Sequence, residues 1–227
     1  MIDAMDSRYL SPAEFLAWEA QQPWRHEYLN GRVYARADST LDHNTITTNF
    51  AIALKRHLRG KSCGAFISEV QVHVSEKGPY FYPDLVVTGD PRDFRSRQAI
   101  QYPCLIAEVL SPETAEFDRD PKFQQYARME SLKEYVLISS DRPALDRYYR
   151  SEDAAPNCWE LTRYGATEFN PKAIDFDQQQ RLLAEISFVL QSLNFNSTLA
   201  MIYEEVRFDR NLDNASELAS VSDDSAL

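Results

Sequence analysis

The chain has 227 residues, of which 44% are hydrophobic, and a formal net charge of -11. This length allows one substantial core, and no Gly/Ser-rich or Pro-rich linker divides the sequence, so we expect a single domain over residues 1–208. Residues 209–227 are rich in Ser, Asp and Asn and lack aromatic residues, which predicts an acidic, disordered tail. The acidic balance argues against tight non-specific binding to nucleic acid, because such binding depends largely on Lys and Arg.

The cysteines and the apolar runs indicate the compartment. Cys63, Cys104 and Cys158 are far apart and show no CxxC spacing, so neither a zinc site nor a disulfide framework is indicated. The first residues do not pair a basic flank with an apolar run, and no apolar run reaches membrane-spanning length. We therefore expect a soluble, cytoplasmic protein with reduced thiols and no membrane partner.

The first part of the chain shows clear helix and turn signals. Residues 11–14 read Ser-Pro-Ala-Glu, a capping-box start that predicts a first helix to about residue 21. The Asn30-Gly31 pair lies between two strand-like runs and predicts a tight type I′ hairpin, which places Glu27 on a hairpin strand. Apolar residues at helical spacing predict a second, longer helix over residues 42–58, packed on a sheet.

The pattern then changes to strands. Residues 66–74 alternate with period two and predict one half-buried strand, which a turn at residues 75–79 returns into a strand over residues 80–87. We expect these two strands to pair antiparallel. Pro83 lacks an amide donor, so it should lie at the beginning of a strand or at an edge.

A strand, a helix and another strand follow in close succession. The apolar run 105–111 predicts a core strand, Asp120 and Pro121 open a helix over residues 120–129, and residues 134–140 form the next strand. This succession implies a parallel crossover, so the sheet should be mixed. A further hairpin and a last amphipathic helix are predicted over the ranges 145–150, 157–165 and 197–208.

The segment from Arg142 to Arg150 interleaves arginines with two tyrosines. Two interpretations are open: a local basic surface that binds nucleic acid, or a strand with one solvated face. The strand is the commoner meaning of such a stretch, so we favour it.

Two acidic residues lie inside apolar strands. Asp84 occurs in FYPDLVV and Glu108 in LIAEVL, and burying an unpaired charge in such runs is costly unless a cation or another partner compensates it. Glu108 should share its strand face with Ile106 and Leu110. If the two strands are neighbours, both acids can converge on one divalent ion, with the Val109 carbonyl as a further candidate ligand. For Asp84 the alternative is a Pro-Asp pair that simply starts a strand or a turn.

Lys122 completes an order that a metal-dependent phosphodiesterase could use. Such hydrolysis needs a cation, a deprotonated water and a group that positions this water. A lysine in the first turn of a helix gains nothing from the helix dipole, so capping electrostatics do not explain Lys122. The alternative is a surface lysine paired with Asp118 or Asp120.

Several motifs together resemble a known family. YPDLVV, IAEVLSPET and DRDPKFQQYARMESLKEYVLIS, with SPAEFLAWE, HEYLNGRVY, His43 and IYEEVRF, are similar to the Uma-two family of restriction-endonuclease-like proteins, abundant in cyanobacteria. This family belongs to the PD-(D/E)XK nuclease superfamily. The resemblance implies an α/β fold with a restriction endonuclease-like core, in which helices flank a mixed central sheet of four to five strands. It also implies that Asp84 and Glu108 bind Mg²⁺ or Mn²⁺ and that the protein hydrolyses DNA.

One position departs from the superfamily pattern. The lysine expected two residues after the glutamate is replaced by Leu110, and the family supplies an ammonium group from the following helix, where Lys122 is the matching residue. The resemblance also makes Glu27 a candidate to complete or orient the metal shell. The alternative for Glu27 is a cross-strand partner of Arg25 or Arg32.

Other residues are weaker candidates for the same cleft. His43 is either a proton carrier or, more commonly for a histidine at a helix start, a structural residue. Glu69 and Gln71 are secondary candidates. No Gly-rich phosphate loop, GxSxG elbow or HExxH motif supports nucleotide binding, serine hydrolysis or zinc proteolysis.

Two functional hypotheses follow. The first is a Mg²⁺- or Mn²⁺-dependent nuclease in which Asp84 and Glu108 bind the metal, Lys122 positions the water and Glu27 supports the site. A homodimer would suit the cutting of two strands. The second is a catalytically silent binding or regulatory module that keeps the fold, which the acidic net charge and Leu110 in the usual lysine position favour.

Overall fold

A computed structural model describes residues 9–36, 39–96, 98–151, 158–165, 169–170 and 173–208. The first elements are α1 (Pro12–Glu19), β1 (His26–Leu29), β2 (Arg32–Ala35), α2 (Leu41–His57), β3 (Gly64–Ile67), β4 (Gln71–His73), β5 (Tyr80–Phe81), β6 (Leu85–Thr88), α3 (Pro91–Ser96) and β7 (Ala99–Ile100). Then come β8 (Pro103–Leu110), α4 (Ala115–Phe117), a π-helical turn (Asp118–Lys122), α5 (Phe123–Tyr126), β9 (Glu134–Ser139), β10 (Ala144–Tyr149) and β11 (Glu160–Gly165). The last are α6 (Phe176–Ala184), β12 (Ser187–Leu190), a 3₁₀ turn (Gln191–Leu193), β13 (Phe195–Thr198) and α7 (Leu199–Ile202).

The central sheet has the strand order β11-β10-β9-β8-β6-β3. Strands β8 and β9 are parallel and every other neighbouring pair is antiparallel, so the predicted mixed sheet is confirmed. The crossover from β8 to β9 runs through α4, the π-helical turn and α5. The described sheet has six strands, one more than the family resemblance implies, because β10 and β11 extend it as a hairpin.

A second sheet has the order β2-β1-β5-β4-β7, and β12 pairs with β13 as a separate hairpin. The predicted hairpin at Asn30-Gly31 is confirmed: Leu29 pairs with Arg32, and the turn residues have φ angles of 51° and 86°. Positive φ at both central positions is the geometry that an Asn-Gly pair favours. Helix α1 also begins as predicted, because Ser11 and Glu14 form a reciprocal capping box.

The prediction of one strand over residues 66–74 is wrong. Strand β3 belongs to the central sheet and β4 to the second sheet, and Ser68, between them, has a φ of 53°. The segment predicted as the antiparallel partner, residues 80–87, is also divided between the two sheets. Its first part, β5, pairs with β4, and its second part, β6, pairs with β3. The backbone N–H of Ser68 donates to the Asp84 carbonyl oxygen at 3.2 Å. Asp84 therefore lies where the chain passes from one sheet to the other.

Apolar residues cover the central sheet on both faces. One core cluster joins Ala107 and Val109 of β8 to helices α2, α6 and α7. The other joins Ile106 and Leu110 of the same strand to α5 and the second sheet. The predicted grouping of Ile106 with Leu110 on one face is therefore correct, and the alternation of side chains places Glu108 on this second face.

The predicted helix over residues 197–208 is mostly wrong. Residues up to Thr198 form β13, and α7 extends only from Leu199 to Ile202. The backbone of residues 195–198 pairs with β12, which satisfies hydrogen bonds that a helix would otherwise provide. The predicted tail over residues 209–227 lies outside the described residues.

The arginine-rich segment forms β10, so the strand interpretation is correct. Arg147 is buried, lies 3.9 Å from Glu134 and donates to the Val189 carbonyl oxygen. Arg150 donates to the Met129 carbonyl oxygen. These two side chains stabilise the fold and do not form a basic binding surface. Within the described ranges, no helix is both long and apolar enough to cross a bilayer.

Candidate active site

A cleft of about 270 Å³ opens where the two sheets meet the N-terminal end of α2. The β1–β2 hairpin, the residues before β6, the end of β8 and the π-helical turn form its other walls. Its lining side chains include four carboxylates and two cations: Glu27, Asp84, Glu108, Asp118, Arg36 and Lys122. Carboxyl groups therefore outnumber Lys and Arg side chains in this cleft.

Asp84 and Glu108 lie side by side in the cleft, as the sequence predicted. The backbone N–H of Asp84 donates to Glu108 Oε2 at 3.2 Å, and the Val109 N–H donates to Asp84 Oδ2 at 2.8 Å. Their exposed fractions are only 6% and 3%. The antiparallel pairing of Leu85 with Ala107 brings the two residues together. Both carboxylates therefore line the same cleft in a fixed geometry.

His43 and Arg36 hold the second oxygen of Asp84. His43 Nε2 lies 3.1 Å from Asp84 Oδ1, and Arg36 Nη2 lies 3.5 Å from the same oxygen. Burial raises the pKa of Asp84, whereas the contacts with His43 lower it. The Val109 N–H and the Arg36 charge lower this pKa further, so that it lies below its usual value. Asp84 is therefore held as a carboxylate.

Lys122 is buried among three carboxylates. Its Nζ lies 2.9 Å from Glu27 Oε1, 2.9 Å from Glu108 Oε1 and 3.4 Å from Asp118 Oδ1. Burial lowers the pKa of Lys122, but its carboxylate neighbours outweigh this and raise the pKa well above its usual value. The alternative of a surface lysine is wrong, although its suggested contact with Asp118 is present.

Glu108 has the opposite electrostatic balance. Burial raises the pKa of Glu108 well above its usual value, and the charge of Lys122 only partly opposes this. The negative charges of Asp118, Asp84 and Glu27 raise the pKa of Glu108 further. The Tyr126 hydroxyl lies 3.4 Å from Glu108 Oε1. A positive charge placed next to Glu108 would therefore favour its ionised form.

Glu27 lies in the cleft and not on an exposed hairpin face. Its Oε1 accepts a hydrogen bond from the Tyr82 backbone N–H at 3.1 Å and also contacts Lys122. The alternative of a cross-strand pair with Arg25 or Arg32 is wrong, because Arg25 pairs with Glu69 and Arg32 donates to the Tyr9 hydroxyl. Glu27 therefore orients the lysine.

Asp118 lines the cleft although the sequence did not predict it as a site residue. The sequence suggests it only as a partner of Lys122 on the surface. It is buried within the π-helical turn, and burial is the main cause that raises its pKa. The extra residue of a π turn can reorient side chains in a way that helical periodicity does not predict. A sequence signal was present, since Asp118 and Lys122 have the i,i+4 spacing of a helical ion pair.

The weaker candidates differ in position. His43 lines the cleft, whereas Glu69 lines a different cavity and pairs with Arg25. Gln71 Oε1 contacts His73 Nε2 at 2.7 Å and does not line the cleft. Leu110 packs in the core cluster, so the usual lysine position of the superfamily points into apolar surroundings.

The donor set fits a magnesium-type ion better than zinc. Magnesium prefers hard oxygen ligands and keeps several waters, so one or two carboxylates are enough. Asp84 and Glu108 supply such oxygens in a cleft where carboxyl groups outnumber Lys and Arg side chains. Among the residues that the structure describes, no group of three His, Cys, Asp or Glu side chains is arranged to hold a metal ion. An ion in the cleft would therefore depend on Asp84 and Glu108, with water completing its coordination shell.

Comparisons with known proteins agree with this fold. A profile of the Uma2 family, described as "Putative restriction endonuclease", matches residues 12–189. The "Uncharacterized protein slr1290" of Synechocystis sp. (strain ATCC 27184 / PCC 6803 / Kazusa) is 38% identical over 159 residues, which cover 70% of this chain and 82% of that protein. The "Uncharacterized protein sll1609" of the same organism is 31% identical over 164 residues, or 71% of this chain and 91% of its own.

A solved structure has a similar fold. The crystal structure of a "putative nuclease belonging to DUF820" from Anabaena variabilis ATCC 29413 matches with a TM-score of 0.61 at 15% sequence identity. The match covers 86% of this chain and 97% of that one. The restriction endonuclease-like α/β fold expected from the sequence is therefore confirmed, and the chain belongs to the Uma2 family of restriction-endonuclease-like proteins.

Proposed function

We propose that this protein is a divalent-metal-dependent nuclease that hydrolyses phosphodiester bonds in DNA. The observation that carries the proposal is that Asp84 and Glu108 are neighbours in one cleft. Glu108 Oε2 accepts from the Asp84 N–H, and Lys122 Nζ contacts Glu108 Oε1. Family and fold support nuclease activity. The metal, the catalytic residues and the choice of DNA are the further steps of the proposal.

Asp84 and Glu108 would hold Mg²⁺ or Mn²⁺. When bound, the cation would offset negative charge on the phosphate and favour deprotonation of a water molecule. The carboxylates are preorganised for this, because the Val109 N–H fixes Asp84 Oδ2 and the Asp84 N–H contacts Glu108 Oε2. Rigid placement of charged groups is a main source of rate enhancement in such sites.

Lys122 would position the attacking water and stabilise developing negative charge. Its contact with Glu108 places the ammonium beside a proposed metal ligand. Glu27 and Asp118 hold it there, so they act as positioning residues. Lys122 would thus take the place of the lysine that the superfamily pattern has two residues after the glutamate, where this chain has Leu110.

Two features of the cleft suit an anionic substrate. Arg36 and His43 line the wall next to Asp84. Ser39 and Asn44 supply neutral polar groups at the start of α2, where the positive end of the helix dipole favours phosphate. These groups can receive a DNA phosphate beside the two carboxylates.

A second candidate is a catalytically silent binding module. Lys122 is only 4% exposed and has three carboxylate contacts, as many as an ammonium has N–H donors. A lysine used only to neutralise buried acids would have the same environment. This protein would bind metal without cleaving DNA, and a stable partner protein in pull-down experiments would support it.

Cleavage of supercoiled and single-stranded DNA in Mg²⁺ or Mn²⁺ distinguishes the two. We expect the wild type to nick DNA and the variant Asp84→Asn, Glu108→Gln to lose nicking. The matched control Glu76→Gln, Glu130→Gln removes two exposed carboxylates and should behave as the wild type. No nicking by the wild type in either metal would contradict the nuclease proposal.

A further inference from the structure

Helix α2 connects the candidate active site to a basic surface. Its first turn lies at the cleft, where Asn44 is exposed and lines the wall. Asn44, Thr48, Ile52 and Arg56 are all exposed and are spaced four residues apart. Residues four positions apart are neighbours on a helix surface, and the row that they form winds gradually around the axis. A continuous exposed stripe therefore runs from the cleft to the far end of α2.

Positive charge is concentrated at the far end of this stripe. Lys55, Arg56, Arg59 and Lys61 are all exposed, and we call them the α2 basic cluster. None has a carboxylate partner among the described residues, whereas Arg25, Arg92 and Arg119 each pair with an acid. Lys61 Nζ contacts His57 Nε2 at 2.7 Å, but four cations within seven residues that have no carboxylate partner among the described residues stand out in a chain with a net charge of -11.

The helix dipole explains only part of this cluster. Basic residues in the last turn stabilise a helix, and this accounts for Lys55 and Arg56. Helix α2 ends at His57, however, and Arg59 and Lys61 follow it. The dipole effect is confined to the last turn, so it gives no reason for these two charges.

The spacing suits a nucleic-acid backbone. Lys55 is eleven positions after Asn44, about three full turns of the helix, so it lies on the same face roughly 16 Å along the helix axis. Successive phosphates of one DNA strand are about 3.4 Å apart along the duplex axis, so this span corresponds to about five base pairs. A duplex with one phosphate in the cleft can therefore place another at the basic cluster.

We propose that the exposed stripe of α2 and its basic cluster form the surface that binds the phosphate backbone of duplex DNA beside the cleft. This inference rests on the proposed function. Asn44 and Thr48 supply neutral hydrogen-bonding groups near the cleft, and the cluster supplies the charges. Contacts of both kinds position a protein on a duplex without reading its sequence.

The test measures binding of a fluorescein-labelled 20-base-pair duplex by the full-length protein in calcium chloride, with duplex integrity checked on a gel. The variant Lys55→Ala, Arg56→Ala, Arg59→Ala should bind roughly tenfold more weakly at moderate salt. For this variant, the slope of log affinity against log salt concentration should be less steep by up to about 2.7, or about 0.9 for each lost phosphate contact. The control Lys77→Ala, Arg95→Ala, Arg128→Ala removes the same charge from exposed positions outside α2 and should change neither value appreciably.

The outcomes separate this inference from the proposed function. Equal loss of binding in both triple variants, or no binding by the wild type, would overturn the α2 surface whatever the cleavage assay shows. Displacement of the duplex by poly-glutamate as readily as by unlabelled duplex would also overturn it, because the surface would then suit an acidic protein. If only the α2 variant loses duplex binding and the wild type cleaves no DNA, the α2 binding surface is supported and the nuclease proposal is contradicted.

Discussion

Glu27 Oε1 lies 2.9 Å from Lys122 Nζ, so a glutamate of the β1–β2 hairpin holds a lysine of the π-helical turn. Glu108 and Asp118 complete the shell around this ammonium. The group joins the second sheet, the central sheet and the crossover helices at one buried point. Its stability and its chemistry therefore depend on the same charges.

Replacing Lys122 with Met should destabilise the protein strongly. The change leaves three buried carboxylates without their common cation, and loss of one partner of a buried ion pair typically costs about 3–5 kcal/mol. Urea denaturation at pH 7.5 measures this cost. Lys77→Met, at an exposed position, should stay within about 0.5 kcal/mol of the wild type. A loss below about 1 kcal/mol in Lys122→Met would contradict the buried network.

Replacing Glu27 with Gln should separate positioning from metal binding. Glutamine can still accept the hydrogen bond from the Tyr82 N–H but lacks the negative charge that pairs with Lys122. We expect DNA cleavage to slow by about 10–100-fold, a range typical of residues that orient a site. Mn²⁺ affinity should change little, since Glu27 contacts the lysine. A parallel fall in Mn²⁺ affinity would instead make Glu27 a metal ligand.

His73 should make folding sensitive to mild acid. Burial lowers the pKa of His73 from 6.5 to about 4, and its ring lies against Tyr80 and Gln71. The unfolded chain therefore takes up a proton below about pH 6.5 that the folded chain accepts only near pH 4, so stability falls as the pH falls through this window. Denaturation midpoints at pH 7.5 and 5.0 should differ less for His73→Asn than for the wild type. An equal difference would contradict the assignment.

Ser68 should tolerate Gly better than Val. Its φ of 53° lies in the left-handed region, which Gly adopts freely and a β-branched residue does not. Ser68→Val should cost about 1–3 kcal/mol, whereas Ser68→Gly should change the free energy of unfolding by less than about 1 kcal/mol. Comparable stability of the two variants would show that the chain does not need this conformation to pass between the sheets.

Local sequence signals predicted much of the fold. The capping box at Ser11, the hairpin at Asn30-Gly31 and the strand-helix-strand pattern that makes the sheet mixed are all present. Each of these features depends on residues that are close in sequence, whose preference for a helix start, a tight turn or a strand is strong. Glu108 was found for a similar reason, because a carboxylate inside an apolar strand is costly without a partner.

The remaining features depend on contacts between distant residues. Periodicity over residues 66–74 cannot show that Ser68 takes the chain from one sheet to another. The π-helical turn that buries Asp118 and Lys122 contains Pro121, and the flanking Phe117 and Phe123 pack against the core cluster that joins β8 to the second sheet. Helix α6 was missed although Asp175 and Gln178 form a capping box that the sequence displays.

The proposed function depends most on metal binding by Asp84 and Glu108. A calorimetric titration of Mn²⁺ into the protein tests this binding most directly. The wild type should bind Mn²⁺, and Asp84→Asn, Glu108→Gln should bind at least about tenfold more weakly. The exposed control Glu76→Gln, Glu130→Gln should retain wild-type affinity. Equal Mn²⁺ affinity in the wild type and the Asp84, Glu108 variant would contradict the account.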